Sequence, residues 1–527
     1  MTYNYEYFLA SVVQQQAAFS WLLATIAFLF IINQRQPRKR KTPPGPKPWP
    51  ITGNLNLLGS IPHQSLDSLS QKYGELMLLN LGSTPVLVAS SPKTAKLVLK
   101  THDAVFASRH TPALGARLFE GGALFWSPYG PWLRQGRRIL SAELGVTRKI
   151  DSLEYVRVEE RISLVSRLYE EAAASKPVLL RDHLSKLTGS ISARLLSDHK
   201  KSCKTGDGRE LRTTPIDMKR LNELVEEFFR LGGLVSNLGD WVPWLRPFDL
   251  QGCEKRVKGF SEEYEQFLDP VIEEHRALMK AAGKDFVPNG LIDVFLQRAD
   301  DPNVEESEVA LTRHRIMGLI HDVVSGGTDT STGSLEWAFQ EMARKPNVME
   351  KAKEELDRVI GRERWVEEKD IAHLPYIESI IKETFRLHPV GTLLPRYSME
   401  DCNLDGYEVT KGTISLVNVW SIGRNPEYWE RAEQFLPERF LGSDIDVKGN
   451  DFSILPFGSG RRMCPGYNLG LKVVQATLAN LLHGFNWKLS GGMKPEDVSM
   501  EEVYGLTTHP KFQLSYLIEP RLLTHLY

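Results

Sequence analysis

The residue types best suited to chemistry are concentrated in residues 457–466, where one cysteine stands among glycines and arginines. The stretch reads F-x-x-G-x-R-x-C-x-G. Its cations, Arg461 and Arg462, favour the thiolate form of Cys464, and its glycines allow the backbone to approach a flat cofactor closely. A lone cysteine in a glycine-rich turn is more often an inert core residue. The full pattern, however, predicts a loop that holds an iron-bound thiolate at the start of a helix.

A second stretch, residues 326–331, reads Gly-Gly-Thr-Asp-Thr-Ser and combines helix-weakening glycines with an acid and an alcohol. Each glycine costs roughly 1 kcal/mol relative to alanine inside a helix, so Gly326 and Gly327 predict that something approaches the helix there. The Thr330 hydroxyl and the Asp329 carboxylate are suited to proton transfer. On an ordinary helix, such a pair more often faces solvent or caps a turn.

Two more motifs are suited to folding rather than to chemistry. Glu383 and Arg386 form an E-x-x-R motif, which places both charges on one helix face. Residues 437–440, Pro-Glu-Arg-Phe, add a further arginine, Arg439. Because an exposed ion pair contributes little to stability, these charges matter to folding only if they are buried.

Along the chain the four stretches follow one another as residues 326–331, 383–386, 437–440 and 457–466, and in that order they resemble the motifs of the cytochrome P-450 superfamily. The resemblance implies that Cys464 is the axial ligand of a haem iron, and thiolate ligation is the kind that favours O–O cleavage. It also implies that Asp329 and Thr330 take part in oxygen activation. The E-x-x-R pair and Arg439 are expected to form a buried triad that supports folding around haem.

The same resemblance implies the other contacts to the cofactor. Phe457, at the start of the cysteine loop, is expected to bind haem. Three arginines at matching positions, Arg137, Arg396 and Arg462, are expected to neutralise the haem propionates. Without the resemblance, each would be an ordinary surface arginine.

The helix that carries Arg137 departs from the family's W-R-x-x-R pattern. Leu133 stands where the tryptophan is expected, and Trp132 lies one residue earlier. One residue rotates a helical side chain by about 100°, so Trp132 cannot simply replace the missing indole donor. One contact to a propionate is therefore expected to be lost.

These residues must be positioned by a helix-rich scaffold. Amphipathic patterns predict helices over residues 150–174, 221–231, 262–279, 313–344 and 349–359. Strand-like apolar runs cover residues 76–81, 86–90, 407–409 and 413–419. The sequence thus predicts a mainly α fold with small β-sheets, of the P-450 type.

Composition limits the classes of function. The net charge is −1, which argues against a nucleic-acid partner. The four cysteines lie far apart without a C-x-x-C motif, so neither a zinc cluster nor a disulfide framework is indicated. A hydrophobic content of 42% is sufficient for one large catalytic domain in a reducing compartment.

The first fifty residues differ in kind from the rest. Residues 17–32 are an almost unbroken apolar run that is followed, not preceded, by basic residues. This order favours an anchor over a cleaved signal peptide and places the catalytic part on the cytoplasmic side. The expected organisation is a membrane anchor in residues 1–34, a basic and proline-rich hinge in residues 35–50, and a haem-thiolate domain in residues 51–527.

The subgroup within the superfamily is indicated by shorter stretches. Residues 240–245 and 470–472 resemble plant A-type microsomal members, and residues 446–452 resemble flavonoid 3'-hydroxylases. Related plant enzymes that act on terpenoids share similar stretches. The substrate pocket is expected to be bordered by residues 112–125, 320–327, 390–394 and 506–509. Six apolar side chains there suit a hydrophobic small molecule, and each could equally be a core residue: Phe119, Leu124, Phe125, Val390, Leu393 and Leu394.

The expected function is a monooxygenase of the endoplasmic reticulum membrane that inserts one oxygen atom from O2 into a lipophilic plant metabolite, a flavonoid, phenylpropanoid or terpenoid. No dinucleotide-binding fingerprint is present, so electrons are expected from a separate NADPH-dependent reductase. Two alternatives stay open: an oxygen-independent haem isomerase or dehydratase, against which the Asp329-Thr330 pair argues, and a non-catalytic haem-binding or lipid-binding membrane protein.

Overall fold

The computed structural model describes residues 41–204, 210–233, 237–283, 286–301 and 309–527. Helices dominate it, and the strands form small separate sheets, as the sequence predicted. The α-helices are α1 (Pro62–Tyr73), α2 (Pro92–Lys96), α3 (Ala113–Arg117), α4 (Pro131–Leu144), α5 (Thr147–Ser152), α6 (Glu154–Ala173), α7 (Leu180–Leu196), α8 (Met218–Leu231), α9 (Leu238–Trp241), α10 (Cys253–Ala282), α11 (Leu291–Ala299), α12 (Arg313–Arg344), α13 (Pro346–Val359), α14 (Pro375–Leu387), α15 (Val419–Arg424) and α16 (Tyr467–Gly484).

The strands are β1 (Leu76–Leu81), β2 (Thr84–Ala89), β3 (Val178–Leu179), β4 (Cys203–Lys204), β5 (Glu210–Leu211), β6 (Leu393–Tyr397), β7 (Cys402–Leu404), β8 (Tyr407–Val409), β9 (Ile414–Asn418), β10 (Phe485–Leu489), β11 (Glu502–Tyr504), β12 (Thr508–Pro510) and β13 (Ser515–Pro520). The largest sheet has the order β1-β2-β9-β6, in which only β2 and β9 pair in parallel. Its last strand carries Arg396, which pairs with Ser415 and is buried. This sheet therefore holds one of the predicted propionate arginines.

The longest of the described helices, α12, has the bounds that the sequence predicted. The Thr312 side chain accepts a hydrogen bond from Arg315 N and caps its first turn. Most of the helix is buried, and it packs closely against α7. A Cβ on Gly327 would lie 2.6 Å from the Ser192 hydroxyl of α7, so glycine permits this close packing.

Two of the predicted helices differ most from their predicted bounds, for local reasons. The predicted helix of residues 150–174 is two helices, because the chain leaves helical geometry at Leu153 (φ −102°, ψ 10°) between α5 and α6. Helix α10 starts nine residues earlier than its apolar pattern, because the Asp249 carboxylate accepts hydrogen bonds from the N–H groups of Glu254 and Lys255. Hydrophobic periodicity reveals neither a break nor a cap.

Residues 41–42 and 403–409 of the described chain belong to a small unit, and residues 43–402 and 410–527 form the main one. Within the small unit, Glu408 N donates to Lys41 O at 2.8 Å. The predicted apolar span of residues 17–32 lies outside the described residues. None of the described helices combines the length and apolar character that crossing a bilayer requires.

Candidate functional site

The cysteine loop connects a short 3-10 turn, Gly460–Arg462, to α16. Gly460 has φ 70°, and a Cβ there would lie 2.4 Å from Leu99 O, so only glycine fits. The Cys464 N–H donates to Phe457 O at 2.9 Å. Both Phe457 and Cys464 line one cavity. The loop therefore fixes the sulfur at the cavity wall.

The surroundings of the sulfur do not favour a free thiolate. Burial raises the pKa of the Cys464 thiol, although the Gly466 N–H and the charges of Arg137 and Arg109 act in the opposite direction. A nucleophilic cysteine needs a lowered pKa, whereas a thiol that coordinates a metal is deprotonated by the metal itself. The site thus fits a metal-bound thiolate better than covalent catalysis.

Six arginines line the same cavity, and four of them, Arg109, Arg137, Arg396 and Arg462, lie close enough for their charges to interact. Burial, together with repulsion from Arg137, lowers the pKa of Arg396 to about 10. Burial and repulsion from Arg396 and Arg137 lower the pKa of Arg462 to about 9. The Nε atoms of Arg109 and Arg396 have no hydrogen-bond partner among the described residues. This excess of positive charge fits a ligand with two carboxylates, such as haem.

Three of these arginines also hold the cysteine loop. Arg137 Nη2 donates to Met463 O at 2.7 Å, and Arg396 Nη2 donates to Ser459 O at 3.3 Å. Arg462 belongs to the loop and donates to Ala107 O at 2.6 Å. The arginines predicted from the sequence therefore converge on one end of the cavity, beside the cysteine.

Arg109 was missed by the sequence analysis. Its Nη1 donates to Phe125 O at 2.6 Å, and its guanidinium lies 4.1 Å from the Phe125 ring centroid. Burial lowers the pKa of Arg109 well below its usual value, and the charges of Arg396, Arg462 and Arg137 lower it further. The signal for Arg109 in the sequence was weak: Arg109 is the only charged residue in the stretch 104–116.

The cavity has a volume of about 520 Å³ and mostly apolar walls. Five of the predicted substrate contacts line it: Leu124, Phe125, Val390, Leu393 and Leu394. For Phe119, the sixth candidate, the alternative of a core residue is observed, since it is fully buried and is not among the lining residues. Its ring instead packs edge-on against Tyr264 (centroids 5.3 Å apart) and lies 5.8 Å from the His321 ring. Phe119 therefore belongs to a buried aromatic cluster and not to the cavity wall.

The two predicted catalytic residues of α12 lie in different surroundings. Thr330 lines the cavity, and its hydroxyl donates to Gly326 O at 2.6 Å. Asp329 is not among the lining residues, since neighbouring side chains on a helix point about 100° apart. Its carboxylate accepts a hydrogen bond from Thr507, which does line the cavity. A proton from Asp329 must therefore pass through another group to reach the cavity.

The E-x-x-R pair forms the buried triad that the resemblance implied. Glu383 and Arg386 are joined by two contacts of 2.7 and 2.8 Å, and both side chains are fully buried. Arg439 Nε donates to the same carboxylate at 3.0 Å. Arg386 also donates to the carbonyls of Ala432 and Gln434. The triad thus joins α14 to the segment that precedes the cysteine loop, away from the cavity.

Comparison with known proteins agrees with this site. The family model described as Cytochrome P450 matches residues 43–516. The chain belongs to the cytochrome P450 family. Its haem is accordingly a thiolate-ligated one, its reaction type is that of a monooxygenase, and it requires O2, a source of electrons and a small substrate.

Relatives of this cytochrome P450 act on different compounds. It is 41% identical to a trimethyltridecatetraene synthase of Zea mays, over 97% of this chain and 94% of that protein. It is 40% identical to a flavonoid 3'-monooxygenase of Petunia hybrida, over 95% of this chain and 98% of that protein. A zebra fish cytochrome P450 solved with abiraterone has a TM-score of 0.70 at 23% identity, covers 87% of this chain and all of that chain, and shares the fold.

The altered pattern on α4 gives a testable consequence. Trp132 Nε1 donates to Gly122 O at 3.0 Å and does not line the cavity, whereas Leu133 does. We expect Leu133→Trp to add an indole N–H at the arginine end of the cavity and to slow haem loss to apomyoglobin. A hydrogen bond to a charged group contributes about 1.5–3 kcal/mol.

Overpacking opposes this gain and costs about 1–3 kcal/mol. Leu133→Phe is the matched control, because it adds a ring without a donor. If both variants release haem at the same rate, the indole of Leu133→Trp makes no contact to a propionate.

Proposed function

We propose that this protein is a membrane-anchored, reductase-dependent monooxygenase that oxidises a lipophilic specialised metabolite. The observation that carries the proposal is the convergence of Cys464, the arginine cluster and Thr330 on one largely apolar cavity. In this proposal Cys464 ligates the haem iron, Phe457 packs against the haem, and the cluster of Arg109, Arg137, Arg396 and Arg462 holds its propionates. The bound haem supplies oxygen activation.

The remaining residues of the cavity act on the substrate and on protons. Apolar side chains such as Leu124, Val390 and Leu394 bind an apolar substrate and exclude water from it. The Thr330 hydroxyl, which faces the cavity, accepts and donates the protons that dioxygen reduction consumes. Asp329, which does not line the cavity, supplies such protons through a neighbouring group.

The substrate class is proposed from the lining and the relatives together. The lining includes aromatic side chains, among them Phe125, Phe228, Phe229 and Trp241. Flat phenolic rings stack well on such walls, which favours a flavonoid or phenylpropanoid. The synthase relatives from Zea mays support a terpenoid as the second candidate.

The deciding experiment reconstitutes the full-length protein with an NADPH-dependent reductase in lipid. Flavonoids, phenylpropanoids and terpenes are supplied as separate sets, and NADPH, O2 and product are measured together. The proposal expects one NADPH and one O2 per oxygenated product. Conversion without O2 would instead identify an isomerase or dehydratase, and haem binding without any conversion would identify a non-catalytic protein.

Removal of the hydroxyl of Thr330 should separate oxygen chemistry from haem binding. We expect Thr330→Ala to retain haem and the carbon-monoxide spectrum while most NADPH is diverted to hydrogen peroxide. Proton delivery by a positioned side chain contributes about 10²–10⁴-fold, so product per NADPH should fall by at least about tenfold. Thr330→Ser, which keeps the hydroxyl, is the control, and normal coupling in Thr330→Ala would remove the assigned role.

The membrane anchor is proposed from the apolar run of residues 17–32 and the basic residues that follow it. The anchor places the catalytic domain on the cytoplasmic face of the endoplasmic reticulum, where it meets the reductase. Deleting residues 1–34 should leave a haem-containing domain that sediments with membranes far less than the full chain. Equal sedimentation of the two proteins would show that another segment is the main anchor.

A further inference from the structure

The Asp329 carboxylate is held by two side chains from the C-terminal hairpin of β11 and β12. Thr507 Oγ1 donates to Asp329 Oδ2 at 2.6 Å, and His509 Nε2 lies 2.8 Å from the same oxygen. The threonine oxygen and the imidazole nitrogen are 3.0 Å apart. The three groups therefore form one continuous hydrogen-bonded cluster between α12 and the hairpin.

The cluster reaches from the cavity toward the outside of the protein. Thr507 lines the cavity, whereas Asp329 and His509 are not among its lining residues. The Asp329 side chain is 9% exposed, and the His509 side chain is 15% exposed. The imidazole therefore stands on the solvent side of the carboxylate, and the threonine hydroxyl stands on the cavity side.

Charged neighbours keep the carboxylate ionised. Burial alone would raise the pKa of Asp329, but His509, the Thr507 hydroxyl and the charge of Arg181 hold it below its usual value. Arg181 lies 3.4 Å from Asp329 and 2.5 Å from Glu336, whose pKa is raised by burial. The charged groups around the His509 imidazole are thus the carboxylates of Asp329 and Glu336, with the guanidinium of Arg181 between them.

A glycine on α12 makes room for the imidazole. A Cβ on Gly333 would lie 2.8 Å from His509 Nδ1 and 2.9 Å from its Cε1. Any larger residue at this buried position would push the ring away from Asp329. Nδ1 is buried and has no hydrogen-bond partner among the described residues, so the proton exchange of the imidazole is assigned to Nε2.

We propose that His509 and Thr507 are proton-relay residues that connect solvent to the cavity through Asp329. His509 Nε2 gives a proton to Asp329 Oδ2. Once Asp329 is protonated, it donates to the Thr507 hydroxyl instead of accepting from it. Thr507 takes this proton from Asp329 and releases its own proton toward the cavity, so the hydroxyl is unchanged. The imidazole recovers its proton from water. This inference rests on the proposed oxygenase function, whose reaction consumes these protons.

The first test measures coupling in the reconstituted full-length enzyme. Thr507→Val and His509→Gln should raise the ratio of peroxide to product by at least about tenfold, with the carbon-monoxide spectrum and the substrate-induced spectral shift unchanged. Thr507→Ser should behave as the parent. His509→Gln is decisive, because glutamine can still donate a hydrogen bond to Asp329 but cannot titrate. Its coupling should also lose the pH dependence of the parent.

The second test does not depend on turnover. Isotope-edited infrared spectroscopy follows the Asp329 carboxyl, assigned with Asp329→Asn. His509→Phe removes a hydrogen-bond donor and a charge that lower the pKa of Asp329. The Asp329 carboxyl should therefore titrate at higher pH in this variant. Gly333→Ala should produce the same shift by displacing the ring. Gly259→Ala, at an exposed helical glycine of α10 with nothing within 4 Å of its Cβ, is the control.

The two tests separate this inference from the proposed function. Parental coupling and an unchanged pH profile in His509→Gln would overturn the relay while leaving the oxygenase intact. If the parent forms no oxygenated product, the proposed function fails, and the infrared titration alone decides whether the cluster exists. An unshifted Asp329 titration in both His509→Phe and Gly333→Ala would overturn the cluster itself.

Discussion

Cys464→Ser should abolish the strongly red-shifted Soret band of the reduced carbon-monoxide complex, together with product formation. The physical reason is that the band and the oxygen chemistry both depend on electron donation from a thiolate to iron. Serine is nearly isosteric and keeps the backbone bond from residue 464 to Phe457 O. The loop should therefore keep its shape, and haem should still be retained by the arginine cluster, at reduced occupancy.

The measurement is the carbon-monoxide difference spectrum at equal haem concentration, followed by turnover with the reductase. Cys402→Ser is the matched control, because Cys402 is also a free thiol but is not among the cavity-lining residues. It should have the parental spectrum. A Cys464→Ser protein with the red-shifted band and full turnover would remove Cys464 from its assigned position as the iron ligand.

The sequence was most informative where function depends on residues that are close along the chain. The cysteine loop, the Gly-Gly-Thr-Asp-Thr-Ser stretch and the E-x-x-R pair each lie within ten residues, so each is recognisable in the sequence, and the resemblance to the P-450 motifs implies their roles. Helix α12 was predicted with its observed bounds, because its apolar run and polar ends are long and continuous. Patterns of this kind depend only on residues that are close along the chain, so they can be recognised without knowledge of the tertiary structure.

Contacts between segments that are distant in the sequence could not be predicted in the same way. His509 and Asp329 are 180 residues apart, and no pattern at either position indicates the other. Arg109 lies in an irregular segment without periodicity, so its position at the cavity depends entirely on packing. Phe119 was a candidate for lining the cavity because its segment does, yet its side chain packs elsewhere. Sequence locates segments, whereas packing decides which side chains face the cavity.

The asymmetry between Asp329 and Thr330 illustrates this difference. Both residues belong to one motif, and the sequence analysis treated them as a pair at one site. In the structure, only Thr330 lines the cavity, and Asp329 is bonded to the C-terminal hairpin. The hairpin is therefore part of the catalytic apparatus if Asp329 is, which makes the residues around Thr507 a target for changing coupling without changing haem binding.

Glu383→Ala should be the most destabilising of the single substitutions considered. The carboxylate is fully buried and accepts hydrogen bonds from Arg386, Arg439 and the backbone N–H of Leu436. Removing one partner of a buried ion pair leaves an uncompensated charge and costs about 3–5 kcal/mol. Since whole domains are stable by only about 5–15 kcal/mol, we expect little haem-containing protein and a strongly lowered unfolding temperature.

Two further variants identify the cause of this loss. Lys351→Ala removes an ion pair with Glu438, whose partners are 49% and 40% exposed, and should cost less than about 1 kcal/mol. The double variant Glu383→Ala/Arg386→Ala removes both buried charges. Its destabilisation should fall well below the sum of the two single effects, because only Arg439 then loses its partner, whereas Glu383→Ala leaves both Arg386 and Arg439 without the carboxylate. Unfolding is followed by loss of the carbon-monoxide band with temperature. Simple additivity would mean that Glu383 and Arg386 stabilise the fold through separate contacts and not as a triad with Arg439.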